Sequence, residues 1–166
     1  MVNRNKKIKN IVLLIIVLIS LLELYFSYKV AKEYAGIYEI GIFLPFIIQP
    51  FIYYKLLFKV QKTYFKSRFT VVLLISFTLP LTIFFTLPNF TYNEGKQLIE
   101  EYAHSDGHLV FRDISKDEDT KAICNNPSRL FVSDRAYYYE IQLNGKNEFF
   151  LVNPLTGRVE QLLDKY

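Results

Sequence analysis

The sequence contains few of the residues on which disulfide-bonded and catalytic proteins depend. Its 166 residues include a single cysteine, Cys124, and no tryptophan. One cysteine excludes an intramolecular disulfide, so a folded core must rely on the 13 tyrosines and 15 phenylalanines. A glycine-rich phosphate loop, a Walker pattern and a nucleophile elbow are also missing. We therefore expect a protein without catalytic activity.

Metal-ligating residue types come together at one place in the sequence. His104, Asp106 and His108 alternate along the chain, and an extended backbone would place their side chains on one side. Gly107 lies among them, where the pattern changes from helix to strand, and no fourth zinc ligand can be identified. We interpret the series as a polar turn that ends a helix, with a metal site as the alternative.

Acidic residues are scarce in the first part of the chain. Up to Phe90 there are eleven basic and three acidic residues, a net charge of +8, whereas from Thr91 onward there are nine basic and thirteen acidic residues, a net charge of −4. The positive overall charge therefore belongs to the apolar part, and no basic stripe remains in the polar part. The sequence predicts no nucleic-acid partner.

Three long apolar stretches fill the first part, at about 11–28, 37–54 and 69–90. A helix needs about 20 predominantly apolar residues to cross a bilayer, and the third stretch has no charged residue. Pro45 and Pro50 interrupt the second stretch, so a re-entrant or strongly bent segment is the alternative to a full span. The pattern predicts a membrane domain over residues 1–90, with three transmembrane helices in the lipid bilayer.

Lysine and arginine are unevenly distributed among the connections of these stretches. Nine basic residues precede the first stretch or separate the second from the third, whereas the connection between the first two has only Lys29 and Lys32. Short loops rich in lysine and arginine stay in the cytoplasm. We therefore expect a multi-pass protein of the cell membrane, with a cytoplasmic N-terminus and residues 91–166 outside the cytoplasm. No signal-peptide cleavage site follows the first stretch, which we expect to remain as an anchor.

Three polar side chains interrupt the apolar stretches. Glu23 lies toward the end of the first stretch and Glu39 at the start of the second, so we expect both near the outer surface at a shared level. Gln49 lies deeper, where we expect it to form hydrogen bonds between helices. An ion or proton role for the glutamates, in a transport or channel complex with proline-kinked helices, is the alternative to an interfacial or packing role.

The polar part has the pattern of a small α+β domain. Asn93 or Thr91 can cap a helix over about 94–104. A strand is predicted over 108–114, and a charged, turn-rich loop over 115–128.

The clearest local pattern is a β-hairpin. Two sets of side chains alternate along its first strand: Tyr137, Tyr139, Ile141 and Leu143 on one face, and Tyr138, Glu140 and Gln142 on the other. Asn144-Gly145 favours a type I′ turn before a return strand over 148–152, and a last strand is predicted over 158–163. We expect one buried and one wet face, and a fold with one helix packed on an antiparallel sheet of three or four strands.

The wet face suggests where a partner would bind. Tyr138, Glu140 and Gln142, together with the open edge of the sheet, form the candidate surface on which a peptide or protein could add a strand. We expect the partner to be another membrane protein or a protein outside the cytoplasm.

The polar part resembles the PepSY domain. The resemblance covers about 92–163 and is carried by the helix EGKQLIEEYA, the hairpin YYYEIQLNGKNEFFLVNP and the turn with Asn153, Thr156 and Gly157. PepSY domains are small extracytoplasmic modules of bacterial membrane and secreted proteins and of peptidase propeptides. The resemblance implies a binding or peptidase-regulating module without catalysis or cofactor, and it assigns no active-site residues.

Overall fold

The computed structural model describes residues 2–59, 64–103, 109–115, 118–123, 129–143 and 145–165, with side chains from residue 10 onward. It divides into two compact units. The membrane unit comprises Met1–Lys29 and Ile40–Phe85, and the α+β unit comprises Val30–Glu39 and Thr86–Tyr166. The division differs from the predicted boundary at residue 90, because the connection between the first two apolar stretches belongs to the α+β unit.

The apolar stretches form helices: α1 (Val2–Glu33), a 3₁₀ turn (Ile40–Phe43) that leads into α2 (Leu44–Tyr54), a π turn (Lys55–Lys59), and α3 (Phe65–Thr86). Three segments are long and apolar enough to cross a membrane: Asn10–Glu33, Ile40–Lys59 and Phe65–Thr86. The three predicted transmembrane helices are confirmed in length and composition, and the protein is a membrane protein.

The ends of these helices differ from the predicted ends for local reasons. α1 continues five residues beyond the predicted end at 28, and the chain then leaves the helix at Ala35 and Gly36, whose φ angles of 46° and 76° are left-handed. α3 ends at Thr86, before the predicted end at 90. Pro88 disfavours helical geometry at the residue before it, which accounts for the earlier end.

Large apolar side chains cover the outside of the membrane unit. Leu22, Phe51 and Phe77 are 68%, 75% and 74% exposed. A continuous apolar surface of this kind is costly in water and suits contact with lipid chains. Inside the unit, a small cluster of Val12, Ile16, Tyr53, Leu57 and Val72 joins the helices.

The α+β unit contains the helix α4 (Tyr92–Ala103) and five strands: β1 (Leu109–Phe111), β2 (Thr120–Ala122), β3 (Arg135–Leu143), β4 (Lys146–Val152) and β5 (Val159–Leu162). All strand pairs are antiparallel, in the order β1-β3-β4-β5, and β2 pairs with the other end of β3. The predicted fold class, a helical membrane region followed by a small α+β domain, is confirmed.

One strand lies where the sequence predicted a loop. β2 falls within 115–128 and pairs with the start of β3, with Thr120 opposite Tyr137. The guanidinium of Arg135 donates to the hydroxyl and the carbonyl of Thr120, at 2.9 and 2.7 Å. Pairing with a distant strand thus overrides the polar, turn-rich local composition.

Helix α4 begins with a capping box. The Thr91 hydroxyl accepts a hydrogen bond from the Glu94 amide at 3.2 Å, and the Glu94 carboxylate accepts one from the Thr91 amide at 2.7 Å. Of the two predicted caps, Thr91 is therefore the one used, and the helix begins at Tyr92.

The turns of the sheet follow the local sequence. Gly145 has a φ of 81° at the hairpin turn; its neighbour Asn144 lies outside the described residues. In the later turn, the Asn153 side-chain oxygen accepts hydrogen bonds from the amides of Leu155 and Thr156, at 2.9 and 3.1 Å. Gly157 completes this turn with a φ of 72°.

The core of the α+β unit lies between α4 and the sheet and includes a residue from the connection after α1. Its buried members are Ile37, Ile99, Tyr137, Tyr139, Ile141, Phe150 and Val152. Ile37 is fully buried, and its carbonyl accepts hydrogen bonds from the amide and the hydroxyl of Ser133, at 3.0 and 2.9 Å. Tyr38 next to it forms a β-bridge with Val132. The connection is therefore an integral part of this domain.

Candidate functional site

A buried polar group lies midway along the membrane segments. It consists of Glu23, Gln49, Tyr53 and Ser76, which we call the midspan cluster; they are 3%, 4%, 3% and 6% exposed. Glu23 lies near the middle of Asn10–Glu33, Gln49 near the middle of Ile40–Lys59, and Ser76 near the middle of Phe65–Thr86. Each of the three spanning segments therefore contributes a polar side chain at similar depth.

The central contact of the midspan cluster joins a carboxylate to a carboxamide. With the Gln49 amide nitrogen turned toward Glu23, it donates to the two carboxylate oxygens at 2.9 and 3.0 Å. No basic side chain of the described residues forms an ion pair with Glu23. An amide can donate to an ionised carboxylate or, turned over, accept from a protonated one. The site can therefore accommodate either protonation state of the glutamate.

The second contact of the midspan cluster ties α2 to α3. The Ser76 hydroxyl donates to the Tyr53 hydroxyl at 3.2 Å. Tyr53 lies one helical turn after Gln49 and shares its helix face. Ser76 lies four residues before Pro80. Because proline has no backbone N–H, it cannot donate the usual helical hydrogen bond to the Ser76 carbonyl. The cluster thus links the three helices through polar contacts of the kind that join membrane helices. Its ionisable member, Glu23, is of a residue type that is rare in such segments and commonly functional.

Glu23 and Glu39 belong to different units of the structure, so their predicted shared level stays a prediction. The spanning part of α1 extends to Glu33, which places Glu23 near its middle instead of near its outer end. Glu39 is exposed, precedes the second spanning segment, and belongs to the α+β unit, where its amide donates to the Phe131 carbonyl at 3.0 Å. Glu23 lies farther from the end of its segment than expected, because the charged residues that end the apolar run do not end the helix.

The predicted wet face of the hairpin is also covered in large part. Tyr138 is 1% exposed and packs in a second cluster with Ala136 and Leu151. Partly buried apolar side chains surround this cluster: Ile114, Ile123, Phe149 and Leu162. Strand alternation correctly separates two sets of side chains, but it does not tell whether other segments cover the second set. Tyr138 is therefore a core residue and not part of an open surface.

Glu140 is occupied by contacts within the domain. Its carboxylate accepts hydrogen bonds from the Lys165 ammonium at 2.7 Å and from the Tyr138 hydroxyl at 3.3 Å. The hydrogen bond from Lys165 holds the pKa of Glu140 below its usual range. The Lys121 ammonium lies 5.2 Å from the centre of the Tyr138 ring. Of the three residues predicted to bind a partner, Gln142 alone is exposed.

The short strands β1 and β2 lie at one edge of the sheet, and at the other edge no described strand pairs with the outer side of β5. Its pairing partner is β4, with Leu162 opposite Phe149, and the side chains of Glu160 and Gln161 are exposed. Leu163 follows directly and is fully exposed. An edge strand next to an exposed leucine combines unpaired backbone groups with an apolar anchor, which are the two elements of strand addition.

The buried tyrosines of the core act as structural hydrogen-bond donors. The Tyr137 hydroxyl donates to the Phe90 carbonyl at 3.0 Å, and the Tyr139 hydroxyl donates to the Tyr92 carbonyl at 2.6 Å. Burial raises the pKa of Tyr92 to about 12 and raises the pKa values of Tyr137 and Tyr139 further. These hydroxyls stay protonated at neutral pH, since desolvation disfavours the phenolate.

The predicted metal-ligating series, His104, Asp106 and His108, lies outside the described residues. Within the described ranges, no group of three or more histidine, cysteine, aspartate or glutamate side chains could hold a metal ion.

Comparisons with protein-family models, with curated proteins and with solved structures give no significant match. The fold defines the class: a membrane protein with three helices long and apolar enough to cross a bilayer and a small α+β domain. The resemblance of that domain to PepSY domains stays a prediction from the sequence.

Proposed function

We propose that this protein is a non-enzymatic accessory protein of the cell membrane. Its α+β unit, a PepSY-like module, lies outside the cytoplasm and recognises a protein partner, either to regulate a peptidase or to assist or protect another membrane protein. The open edge at β5 with the exposed Leu163 is the observation that carries this proposal.

Two observations support the proposed sidedness. Basic residues are concentrated before the first span and between the second and third. The connection after the first span shares a core with the chain after the third, through Ile37 and Ser133. Three spans require these two parts to face the same aqueous phase, opposite to the N-terminus.

Single-cysteine variants test the sidedness. In a Cys124→Ser background, Lys146→Cys introduces a thiol at an exposed position of β4, and Ser67→Cys introduces one at an exposed position near the start of α3. A membrane-impermeant maleimide should label position 146 in intact cells, whereas it should label position 67 only after the cells are permeabilised. The reverse pattern would place the α+β unit in the cytoplasm and contradict the proposal.

Photo-crosslinking tests the recognition surface. A photoreactive amino acid at Gln161 on β5 should form one discrete protein adduct in cell membranes. The same group at Glu101, exposed on α4, is the matched control and should not form it. Leu163→Asp should abolish the adduct, because it removes the apolar anchor. Equal adducts at both positions, or an adduct that survives Leu163→Asp, would argue against strand addition at this edge.

The midspan cluster favours a second candidate function, a component of a transport or channel complex in which Glu23 binds a proton. A buried carboxylate in the middle of a bilayer is costly when ionised, and the described residues provide Gln49 and no cation as its partner.

Difference infrared spectroscopy of the reconstituted protein tests this second candidate. The carbonyl stretch of a neutral carboxylic acid should be present at neutral pH, lost in Glu23→Gln, and retained in the control variant Glu39→Gln. A carboxylate band that disappears in Glu23→Gln instead would show an ionised Glu23 and remove the candidate.

A further inference from the structure

The membrane unit has an apolar groove of about 550 Å³ between α1 and α2. Its walls come from the first half of the α1 span and from the end of α2: Leu13, Ile16, Val17, Pro50, Phe51 and Tyr54. Lys55 and Lys59 complete the lining and are both exposed. The groove therefore pairs a largely apolar wall with two cations contributed by one turn of chain.

We propose that this groove binds an anionic phospholipid, with one acyl chain against the apolar wall and the phosphate at Lys55 and Lys59. The groove lies within segments that are long and apolar enough to span the bilayer, where hydrocarbon chains and not water would surround it. Transfer of a methylene group from water to an apolar site favours binding. The acyl chains of a lipid in the bilayer are already out of water, so this transfer adds little to the affinity for the groove. The preference for one lipid over another must therefore come from the headgroup.

The charges favour an anionic headgroup. Lys55 and Lys59 are four residues apart and both line the same groove. No acidic residue belongs to the groove lining. An ammonium near the membrane surface attracts anionic lipids by about 1 kcal/mol per lysine. The two lysines should together distinguish anionic from zwitterionic lipids by roughly 30-fold.

The backbone at the two lysines is unusual. Lys55–Lys59 is a π-helical segment, with one lysine at each end. Such turns are rare and occur frequently at functional sites. Pro50 lies inside α2 and also lines the groove, where it cannot donate a backbone hydrogen bond to the preceding turn. Both irregularities of this segment thus coincide with the groove.

Native mass spectrometry of the full chain, released from lipid mixtures, tests the proposal. Phosphatidylglycerol and phosphatidylcholine with identical acyl chains are the two probes. The unmodified protein should retain phosphatidylglycerol in preference to phosphatidylcholine. In Lys55→Gln/Lys59→Gln the ratio of retained phosphatidylglycerol to phosphatidylcholine should fall by roughly 30-fold. The matched control, Lys66→Gln/Arg68→Gln, removes two nearby basic residues that do not line the groove and should keep the preference.

A second pair of variants tests whether an acyl chain binds against the apolar wall of the groove. Val17→Phe fills the groove and should lower retention of both lipids, whereas Leu14→Phe, on an exposed part of α1 outside the groove, should not. Equal losses in the groove and control variants would overturn the proposal. The proposal would also be overturned if inorganic phosphate displaced phosphatidylglycerol and Val17→Phe had no effect. That result would show a site for free phosphate.

Discussion

Glu23 on α1 and Gln49 on α2 meet as a carboxyl group and a carboxamide in the middle of the membrane unit. With the amide nitrogen turned toward Glu23, it lies 2.9 and 3.0 Å from the two carboxyl oxygens. Both side chains are almost completely buried. The amide thus provides hydrogen bonds to a carboxyl group that would otherwise be buried without a partner. Helix association in this unit should depend on the pair.

Gln49→Leu should destabilise the membrane unit by about 1.5–3 kcal/mol, because it leaves the buried Glu23 carboxyl without its hydrogen bonds. Reversible unfolding in mixed micelles measures the loss. Glu23→Leu/Gln49→Leu removes both polar groups and should recover a large part of the lost stability. Strict additivity of the two single substitutions would contradict direct coupling between them.

Gly95→Ala should destabilise the α+β unit, although alanine normally favours a helix. A Cβ at position 95 would overlap the Tyr139 hydroxyl, which is held by its hydrogen bond to the Tyr92 carbonyl. We expect a loss of about 1–3 kcal/mol, measured by thermal or denaturant unfolding. Glu101→Ala, at an exposed position of the same helix, is the control and should have little effect. A stabilised Gly95→Ala variant would show that α4 does not approach Tyr139 this closely.

Ile37→Ala should weaken the α+β unit even though residue 37 precedes that unit's helix by more than fifty residues in sequence. Its side chain is fully buried with Tyr137 and Val152, so truncation leaves a cavity and should cost about 2–5 kcal/mol. Hydrogen exchange at the amides of β3 and β4 reports the change. Glu39→Ala, two residues away and exposed, should leave the exchange rates unchanged. Equal rates in both variants would mean that the connection is not part of the core.

The ion pair between Glu140 and Lys165 should stabilise the α+β unit in a defined pH window. The hydrogen bond between them lowers the pKa of Glu140 and raises that of Lys165. The contribution is therefore complete above the unfolded carboxyl pKa of about 4.3 and below the unfolded lysine pKa of about 10.4. It is lost as the pH falls through the lowered pKa of Glu140 or rises through the raised pKa of Lys165.

Comparing melting temperatures of the unmodified protein and Lys165→Met across the pH range measures this contribution. The difference should be present at neutral pH and vanish in acid once Glu140 is protonated. Lys146→Met, exposed at the start of β4, should show no such pH-dependent difference. A constant difference down to strong acid would assign the effect to packing of the lysine stem.

Local signals account for most of the secondary structure. The capping residues of α4, the alternation along β3 and the turn residues Gly145 and Gly157 act over a few positions, and these elements occur where they were predicted. β2 was missed because its stability comes from β3, which follows it by more than ten residues. A composition rich in charge and turn formers does not reveal such a pairing.

The candidate sites were harder to predict than the helices and strands. Gln49 was selected for its depth in an apolar stretch, but its partner could not be identified, because the depth of Glu23 depends on where α1 ends. Tyr138 was assigned to the correct face of the hairpin and to the wrong environment, because the residues that cover it come from several separate segments.

Composition and periodicity determine the three membrane-spanning helices, the polar α+β domain after them and the order of its main elements. Each of these features depends on side chains that are close together in the chain. Folding in three dimensions was needed to bury Ile37 and Tyr138 and to bring Glu23 to Gln49. Those outcomes depend on contacts between distant segments, and burial is a property of the neighbours as much as of the residue itself.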